Sequence, residues 1–176
     1  SKTIDCIWNG MTATDELKNQ INFSSAYMNN SQVAVIRKAD AAKYKDLASM
    51  SGAKVVAEAG SAGEIAVKAD AGLSKSYLPV KDQGTSLMEV KSKTADIAII
   101  DAVTAAGSIG EGTDYDDLMI VDVISSADSE VYAVGIRKSD TELTAKINAA
   151  IKELYDDGTL AKLAEKYNLS GRVIAQ

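Results

Sequence analysis

The run IDCIWNGMTATDE, residues 4–16, has the pattern of a buried strand that breaks into a loop and then into a helix. Its apolar first part suits a strand, and Asn9 and Gly10 are residues that commonly end one. Thr14 is a candidate N-cap, and the two acidic residues after it suit the first turn of a helix. Because N–H groups at a helix start can hold a carboxylate, this loop is a candidate ligand site. We also expect other parts of the protein to cover a strand this apolar.

The composition limits the class of protein. The chain has 176 residues, 46% of them hydrophobic and 25% charged, which suits one domain or two small lobes with a real core. A net charge of −6 argues against a nucleic-acid-binding protein, because few cations could neutralise phosphates. The single cysteine, Cys6, excludes an internal disulfide and is expected to be a buried small hydrophobe. The absence of histidine disfavours an enzyme, and we predict no metal and no cofactor.

Strand and helix patterns alternate along the rest of the chain. Strands are predicted at residues 32–38, 53–58, 76–80, 96–100, 118–123 and 131–137. Helices are predicted at residues 41–50, 64–71, 85–93, 102–109 and 143–154, and again after Thr159. Such alternation with short turns predicts an α/β fold with parallel sheets and right-handed crossovers.

Three strand ends could contact a ligand, because open α/β sheets bind ligands beyond the carboxyl ends of their strands. These ends are Asn9-Gly10-Met11-Thr12, Gly60-Ser61-Ala62-Gly63 and Asp101. The glycine–serine turn can point the free N–H groups of a helix start at an anion, and Asp101 can hold a cation. Together they suit a zwitterion, with its carboxylate against N–H groups and its ammonium against a carboxylate.

Each of these features also has a purely structural interpretation. A Gly-Ser turn before a helix, or an Asp after a strand, commonly does no more than cap the helix that follows. The same holds for Thr12 and Thr14. Three glutamates near these turns, Glu58, Glu64 and Glu130, are expected to be solvated.

Six motifs, in this order along the whole chain, resemble the family 3 extracellular solute-binding proteins, which are the polar amino-acid receptors of ABC importers. The motifs are Gly-Met-Thr-Ala-Thr-Asp-Glu at 10–16, Phe-Ser-x-x-Tyr at 23–27, Ala-Gly-Ser-Ala-Gly-Glu at 59–64, Asp-Ile-Ala-Ile-Ile-Asp at 96–101, Gly-Ile-Arg-Lys at 135–138 and Asp-Gly-Thr-Leu-Ala-Lys at 157–162.

The resemblance implies a fold of the periplasmic-binding-protein type II, with two α/β lobes joined by two hinge strands. Residues 1–41 and 128–176 would form lobe 1, and residues 42–127 lobe 2. The crossings would lie near residues 35–40 and 128–135. Lobe 1 would be incomplete, because the family's N-terminal strand-helix-strand unit has no match in this sequence. The resemblance therefore implies an N-terminally truncated chain, a proteolysed fragment, or a second chain that supplies the rest.

The resemblance also implies roles for the candidate residues. Asn9, Gly10 and Thr12 match positions that contact the α-amino and α-carboxylate groups of the ligand. Ser61 and Ala62 match the turn that takes the carboxylate, where Ala62 could offer only its N–H, and Asp101 matches the residue that pairs with the α-ammonium. Leu17 stands where the family has its carboxylate-binding arginine, and Arg37, Arg137 and Arg172 match no ligand position. An amine, an amide or a differently oriented amino acid is therefore a further candidate ligand.

Three functions follow from these observations. The first is a substrate-binding receptor of an ABC importer, holding a small polar amino acid or related amine between two lobes for a membrane permease to read. Such a receptor would be extracellular, periplasmic or lipid-anchored at the outer face of the cell membrane. The alternative is a truncated or sensor-type fragment with no transport role, which self-associates through the exposed strand at residues 4–8. An enzyme on the same fold, such as a dehydratase of cyclic acids, is disfavoured by the absence of histidine and by Leu17.

Overall fold

The computed structural model describes residues 3–124 and 130–176, which form two compact units. The first unit contains residues 3–30 and 130–176, and the second contains residues 31–124. The first boundary therefore follows Asn30, whereas the sequence placed it after residue 41. The reason is that residues 32–37 form a strand hydrogen-bonded on both sides to strands of the second unit. Of the second predicted crossing, residues 128–129 lie outside the described residues.

The elements alternate as the sequence predicts, although several bounds differ. The strands are β1 (Cys6–Ile7), β2 (Asn22–Phe23), β3 (Met28–Asn30), β4 (Gln32–Arg37), β5 (Val55–Glu58), β6 (Tyr77–Val80), β7 (Ile97–Asp101), β8 (Leu118–Val123), β9 (Glu130–Tyr132) and β10 (Gly135–Ile136). The helices are α1 (Asp15–Gln20), α2 (Ala62–Ala69), α3 (Gln83–Lys91), α4 (Ala102–Ser108), α5 (Thr141–Asp156) and α6 (Thr159–Lys166). The predicted strand at 131–137 is thus two short strands that belong to different sheets.

The second unit is built on a five-stranded sheet in the order β6-β5-β7-β4-β8. Strand β5 runs parallel to β6 and β7, as predicted, but β4 runs antiparallel to β7 and β8, so the sheet is mixed. Every residue of β7 is buried, because both faces of the sheet are covered. Ala98 and Ile100 face a core with α3 and α4, whereas Ile97 and Ile99 face a core with α2. The carboxyl ends of the parallel strands therefore meet at one edge of this sheet.

The first unit contains two small antiparallel sheets, β1-β10-β2 and β3-β9. Its core is formed by Val134, Ile136 and Ile151, with α5 and α6 packed beside the strands. Cys6 packs against this core but is only partly buried. The predicted strand at 4–8 is shorter than expected, and Ile4 and Trp8 at its two ends are 57% and 53% exposed.

The predicted helix at residues 41–50 is not formed. In its place are two short 3₁₀ helices, Lys38–Asp40 and Ala48–Met50, joined by turns. The cause is local, because the Ser49 hydroxyl accepts from the N–H groups of Lys45 and Asp46. The Asp46 carboxylate in turn accepts from the Ser49 N–H at 2.9 Å. These side chains offer the backbone an alternative to helical hydrogen bonds.

Candidate ligand-binding site

The turn that precedes α2 ends β5 and begins a helix with an orderly N-cap. The Ser61 hydroxyl accepts from the Glu64 N–H at 3.2 Å and donates to the Glu58 carbonyl at 2.7 Å. The Ser61 N–H also donates to the Glu58 carbonyl, at 3.2 Å. Within the part of the chain that the structure describes, the N–H groups of Ala62 and Gly63 carry no hydrogen bond. The turn therefore offers an anion two backbone donors at the positive end of a helix dipole.

Glu64 organises this turn, which corrects the expectation that it is merely solvated. Its carboxylate accepts from the Gly60 N–H at 2.8 Å and from the Tyr77 hydroxyl at 3.0 Å, and it pairs with Lys68 at 2.9 Å. The contact with Lys68, followed by that with Gly60, lowers the pKa of Glu64. Burial, followed by the hydrogen bond to Glu64, raises the pKa of Tyr77. Because the Gly60 N–H is already bonded to Glu64, Gly60 shapes the turn and does not offer a donor.

Asp101 is buried at the carboxyl end of β7, with 7% of its surface exposed. One carboxylate oxygen accepts from Gln32 Nε2 at 2.6 Å, and the other accepts from Gln83 Nε2 at 2.7 Å. The Asp101 side chain does not cap α4, which excludes the structural interpretation offered by the sequence. Neutral amide donors orient the carboxylate without cancelling its charge, so the group can attract a cation.

Gln32 connects Asp101 to the start of α2. A Cβ atom at Gly63 would lie 2.9 Å from Gln32 Oε1 and 3.0 Å from the Ile99 carbonyl oxygen. Only glycine therefore lets the first turn of α2 approach the Gln32 side chain and β7 this closely. The sequence predicted both the turn at 60–62 and Asp101 as candidate ligand contacts. The side-chain amide of Gln32 lies between them.

Glu58 is a residue of this site that the sequence analysis took to be solvated. It is the last residue of β5 and is partly buried. Burial, followed by the charges of Asp101 and Asp82, raises the pKa of Glu58, and the Gln83 N–H lowers it. The signal in the sequence was its position two residues before Gly60, at the end of a predicted parallel strand.

The first unit contains the loop Asn9–Thr12, where Asn9 is exposed. The Met11 carbonyl accepts from the Ala133 N–H at 3.2 Å, which fastens the loop to the residue after β9. Gly10 has φ +78°, and a Cβ atom there would lie 3.2 Å from the Tyr132 ring. Glycine is therefore required at this position by both backbone conformation and space. Thr12 forms a backbone bridge with Tyr132, so its position is fixed as well.

The predicted cap of α1 is present, because the Thr14 hydroxyl accepts from the Leu17 N–H at 3.3 Å. Leu17 itself is partly buried and offers no side-chain donor. Two of the three arginines serve the fold. Arg37 donates to the carbonyls of Val90 and Ala95 at 2.7 Å each, and Arg137 pairs with Asp140 at 2.7 Å.

An apolar groove with a volume of about 230 Å³ lies within the first unit. Its walls are aromatic and aliphatic side chains from several elements, among them Trp8, Tyr27, Leu163 and Tyr167. No predicted site residue lines it, and it lacks the polar groups that fix a small polar ligand. Glu130, another glutamate expected to be solvated, is buried in the first unit and accepts from Asn30 Nδ2 at 3.0 Å.

Across residues 3–124 and 130–176, no three cysteine or acidic side chains lie close enough together to hold a metal ion. Over the same residues, no helix has the length and apolar character needed to cross a membrane.

Comparison with known proteins places these features in context. The profile of the bacterial extracellular solute-binding proteins, family 3, matches residues 1–170. The arginine-binding extracellular protein ArtP of Bacillus subtilis is 33% identical over 171 residues, which are 95% of this chain and 64% of ArtP. The chain thus spans less than two thirds of the length of this curated relative.

Solved structures with the same fold are also found. A mutant of ArgBP from T. maritima has a TM-score of 0.80 and 32% identity, covering 94% of this chain and 69% of that one. An amino acid ABC transporter substrate-binding protein from Streptococcus pneumoniae, solved bound to L-arginine, has a TM-score of 0.80 and 27% identity. That match covers 98% of this chain and 69% of the other.

Proposed function

We propose that this chain, which belongs to the family 3 bacterial extracellular solute-binding proteins, is part of a receptor that binds an amino acid for an ABC importer. The relatives named above bind arginine or were solved with it, which makes an α-amino acid the first ligand class to test. The observation that carries the proposal is the placement of the α2 N-terminus and Asp101 on either side of the Gln32 amide.

The two halves of this arrangement match the two charges of an α-amino acid. The N–H groups of Ala62 and Gly63 would receive the carboxylate, with the helix dipole adding to the attraction. The Asp101 carboxylate, held in place by two glutamine amides, would receive the ammonium. Preorganised groups of this kind lower the entropic cost of binding.

The loop Asn9–Thr12 of the first unit contains the other residues to which the resemblance assigns ligand contacts. Leu17 cannot supply the guanidinium that the family uses for the carboxylate. The carboxylate would therefore depend more heavily on backbone donors than in relatives with an arginine at this position. An amine or amide remains a ligand to include in the test for the same reason.

The receptor would bind its ligand without covalent chemistry. Bound ligand would favour one conformation of the receptor, and the permease of the importer would recognise that conformation. The protein would act outside the cytoplasmic membrane, either in a periplasm or held at the membrane by a lipid anchor.

Isothermal titration calorimetry of the full-length protein against a panel of amino acids and amines tests this proposal. We expect saturable one-to-one binding of at least one amino acid and its loss in Asp101→Asn. Glu111→Gln is the matched control, because it removes an exposed carboxylate from the same unit. If a folded protein bound no amino acid and no amine, the proposal would be wrong.

A further inference from the structure

Glu58 and Asp101 end neighbouring parallel strands at the same edge of the sheet. Val56 of β5 pairs with Ala98 of β7, so the register carries Glu58 to the level of Ile100, one residue before Asp101. On its other side, Glu58 pairs with Val80 of β6. The chain then reaches Asp82 and the start of α3, so acidic residues follow all three parallel strands.

Gln83 holds Asp101 through both its side-chain amide nitrogen and its side-chain amide oxygen. Its Nε2 donates to Asp101 Oδ2 at 2.7 Å, and its Oε1 accepts from the Asp101 N–H at 3.1 Å. Its backbone N–H lowers the pKa of Glu58, against the larger effect of burial. Gln83 therefore orients the Asp101 carboxylate at the end of β7 and favours the ionised form of Glu58 at the end of β5.

The other acidic residue at this edge has a different role. Asp82 accepts from both the N–H and the hydroxyl of Thr85 at 2.7 Å, which caps α3 and lowers the pKa of Asp82. Its carboxylate is thus committed to the helix. Glu58 contacts the cap of α2 through its backbone carbonyl, which accepts from the Ser61 hydroxyl at 2.7 Å.

Two carboxylates exceed what one α-ammonium requires. Asp101 suffices for the ammonium, as proposed above. Burial and the neighbouring charges of Asp101 and Asp82 disfavour the ionised form of Glu58. A second negative charge at this edge of the sheet therefore carries an electrostatic cost when no ligand cation balances it. A ligand with a further positive charge would relieve this repulsion, whereas a neutral side chain would leave it in place.

We propose that Glu58 is a specificity-determining residue that selects amino acids whose side chain carries a second positive charge. This inference rests on the proposed amino-acid receptor function. It names a side chain that distinguishes cationic from neutral ligands of the same shape.

Titration with L-arginine and L-citrulline tests the inference, because citrulline replaces the guanidinium with a neutral urea group of the same shape. We expect wild-type protein to prefer arginine by about ten- to a hundredfold, the effect of one charge-assisted hydrogen bond. Glu58→Gln should remove most of this preference by weakening arginine binding, while citrulline binding changes little. Glu111→Gln, the exposed control, should retain the preference.

Equal affinity for the two ligands in wild-type protein, or an unchanged preference in Glu58→Gln, would overturn the inference. Citrulline binding without discrimination would still support the proposed function, so failures of the two proposals are distinguishable. Failure of a folded protein to bind either ligand or any other amino acid would overturn both.

The wild-type protein gives a second test that needs no variant. The ratio of arginine to citrulline affinity removes the contribution of the α-ammonium, because both ligands carry the same α-ammonium. Protonation of Glu58 should therefore reduce the ratio as the pH falls from about 7 to about 4. A ratio that stayed constant over this range would overturn the inference.

Discussion

Gln83 holds Asp101 at two points, since its side-chain amide donates to the Asp101 carboxylate at 2.7 Å and accepts from the Asp101 N–H at 3.1 Å. This pairing joins the first turn of α3 to the end of β7. It leaves the carboxylate oriented and charged, which is the condition that a site for an ammonium group requires.

Gln83→Ala should therefore affect both stability and binding. Loss of the amide leaves a buried carboxylate and a backbone N–H without this partner, so the free energy of unfolding should fall by about 1–3 kcal/mol. Urea denaturation measures this change, and calorimetry with the ligand should show weaker binding. Gln20→Ala, an exposed substitution of the same type in α1, should change neither quantity. Equal effects of the two substitutions would contradict the role given to Gln83.

Gly63→Ala tests the close approach of α2 to Gln32. The new Cβ atom would lie 2.9 Å from Gln32 Oε1 and 3.0 Å from a backbone oxygen, so we expect a loss of about 1–3 kcal/mol in the free energy of unfolding. Gly107→Ala is a matched control, since it lies in α4 with no atom within 4 Å of its Cβ position. Because alanine favours helix, this control should be neutral or stabilising by up to about 1 kcal/mol. A similar loss in both variants would show that space at residue 63 is not limiting.

The raised pKa of Glu58 makes a prediction about the pH dependence of stability. Burial raises this pKa in the folded state, so the folded protein binds the proton more tightly than the unfolded chain. The contribution of Glu58 to the free energy of unfolding is fully present below its pKa in the unfolded chain. That contribution is lost as the pH rises through its pKa in the folded protein. Glu58→Gln should therefore gain more stability relative to wild type at about pH 7 than at about pH 4.

Thermal unfolding of Glu58→Gln, Glu111→Gln and wild type at both pH values measures this difference. The exposed control should show little change with pH relative to wild type. A Glu58→Gln effect that is equal at the two pH values would show that Glu58 is not perturbed by its surroundings.

Leu17→Arg should strengthen binding of the amino-acid carboxylate, because the resemblance places a carboxylate-binding arginine at this position. A charge-assisted contact predicts about a tenfold gain in affinity, measured by calorimetry. Asn19→Arg adds the same charge at an exposed position of α1 and should leave the affinity unchanged. If both variants bind equally tightly, the gain comes from net charge and not from a specific contact.

Local features of the site could be predicted from the sequence alone. Thr14 caps α1 and Ser61 caps α2, because capping involves hydrogen bonds between residues three apart. The helix predicted at 64–71 begins two residues earlier, at Ala62, directly after its cap. The break between α5 and α6 could also be predicted from local sequence. Gly158 has φ +78° at the position where the sequence predicts this break.

The partners of Asp101 could not be predicted in this way. Gln32 and Gln83 lie 69 and 18 residues from it along the chain, and neither belongs to a recognisable motif. Their contact with Asp101 depends on β4 entering the sheet antiparallel to β7, with Gln32 opposite Asp101. The sequence pattern indicated an apolar strand at this place, but the predicted parallel direction was wrong for β4.

The sequence by itself therefore determined the family, the order of the helices and strands, and the loop and turns that carry candidate ligand contacts. These depend on periodicity, capping and short motifs, which act between residues close together in the chain. Only the tertiary structure decided that Glu58 and Glu64 serve the site, that Gln32 and Gln83 orient Asp101, and that β4 belongs to the second unit. Those relationships depend on strand pairing and burial, which bring together side chains that are far apart in sequence.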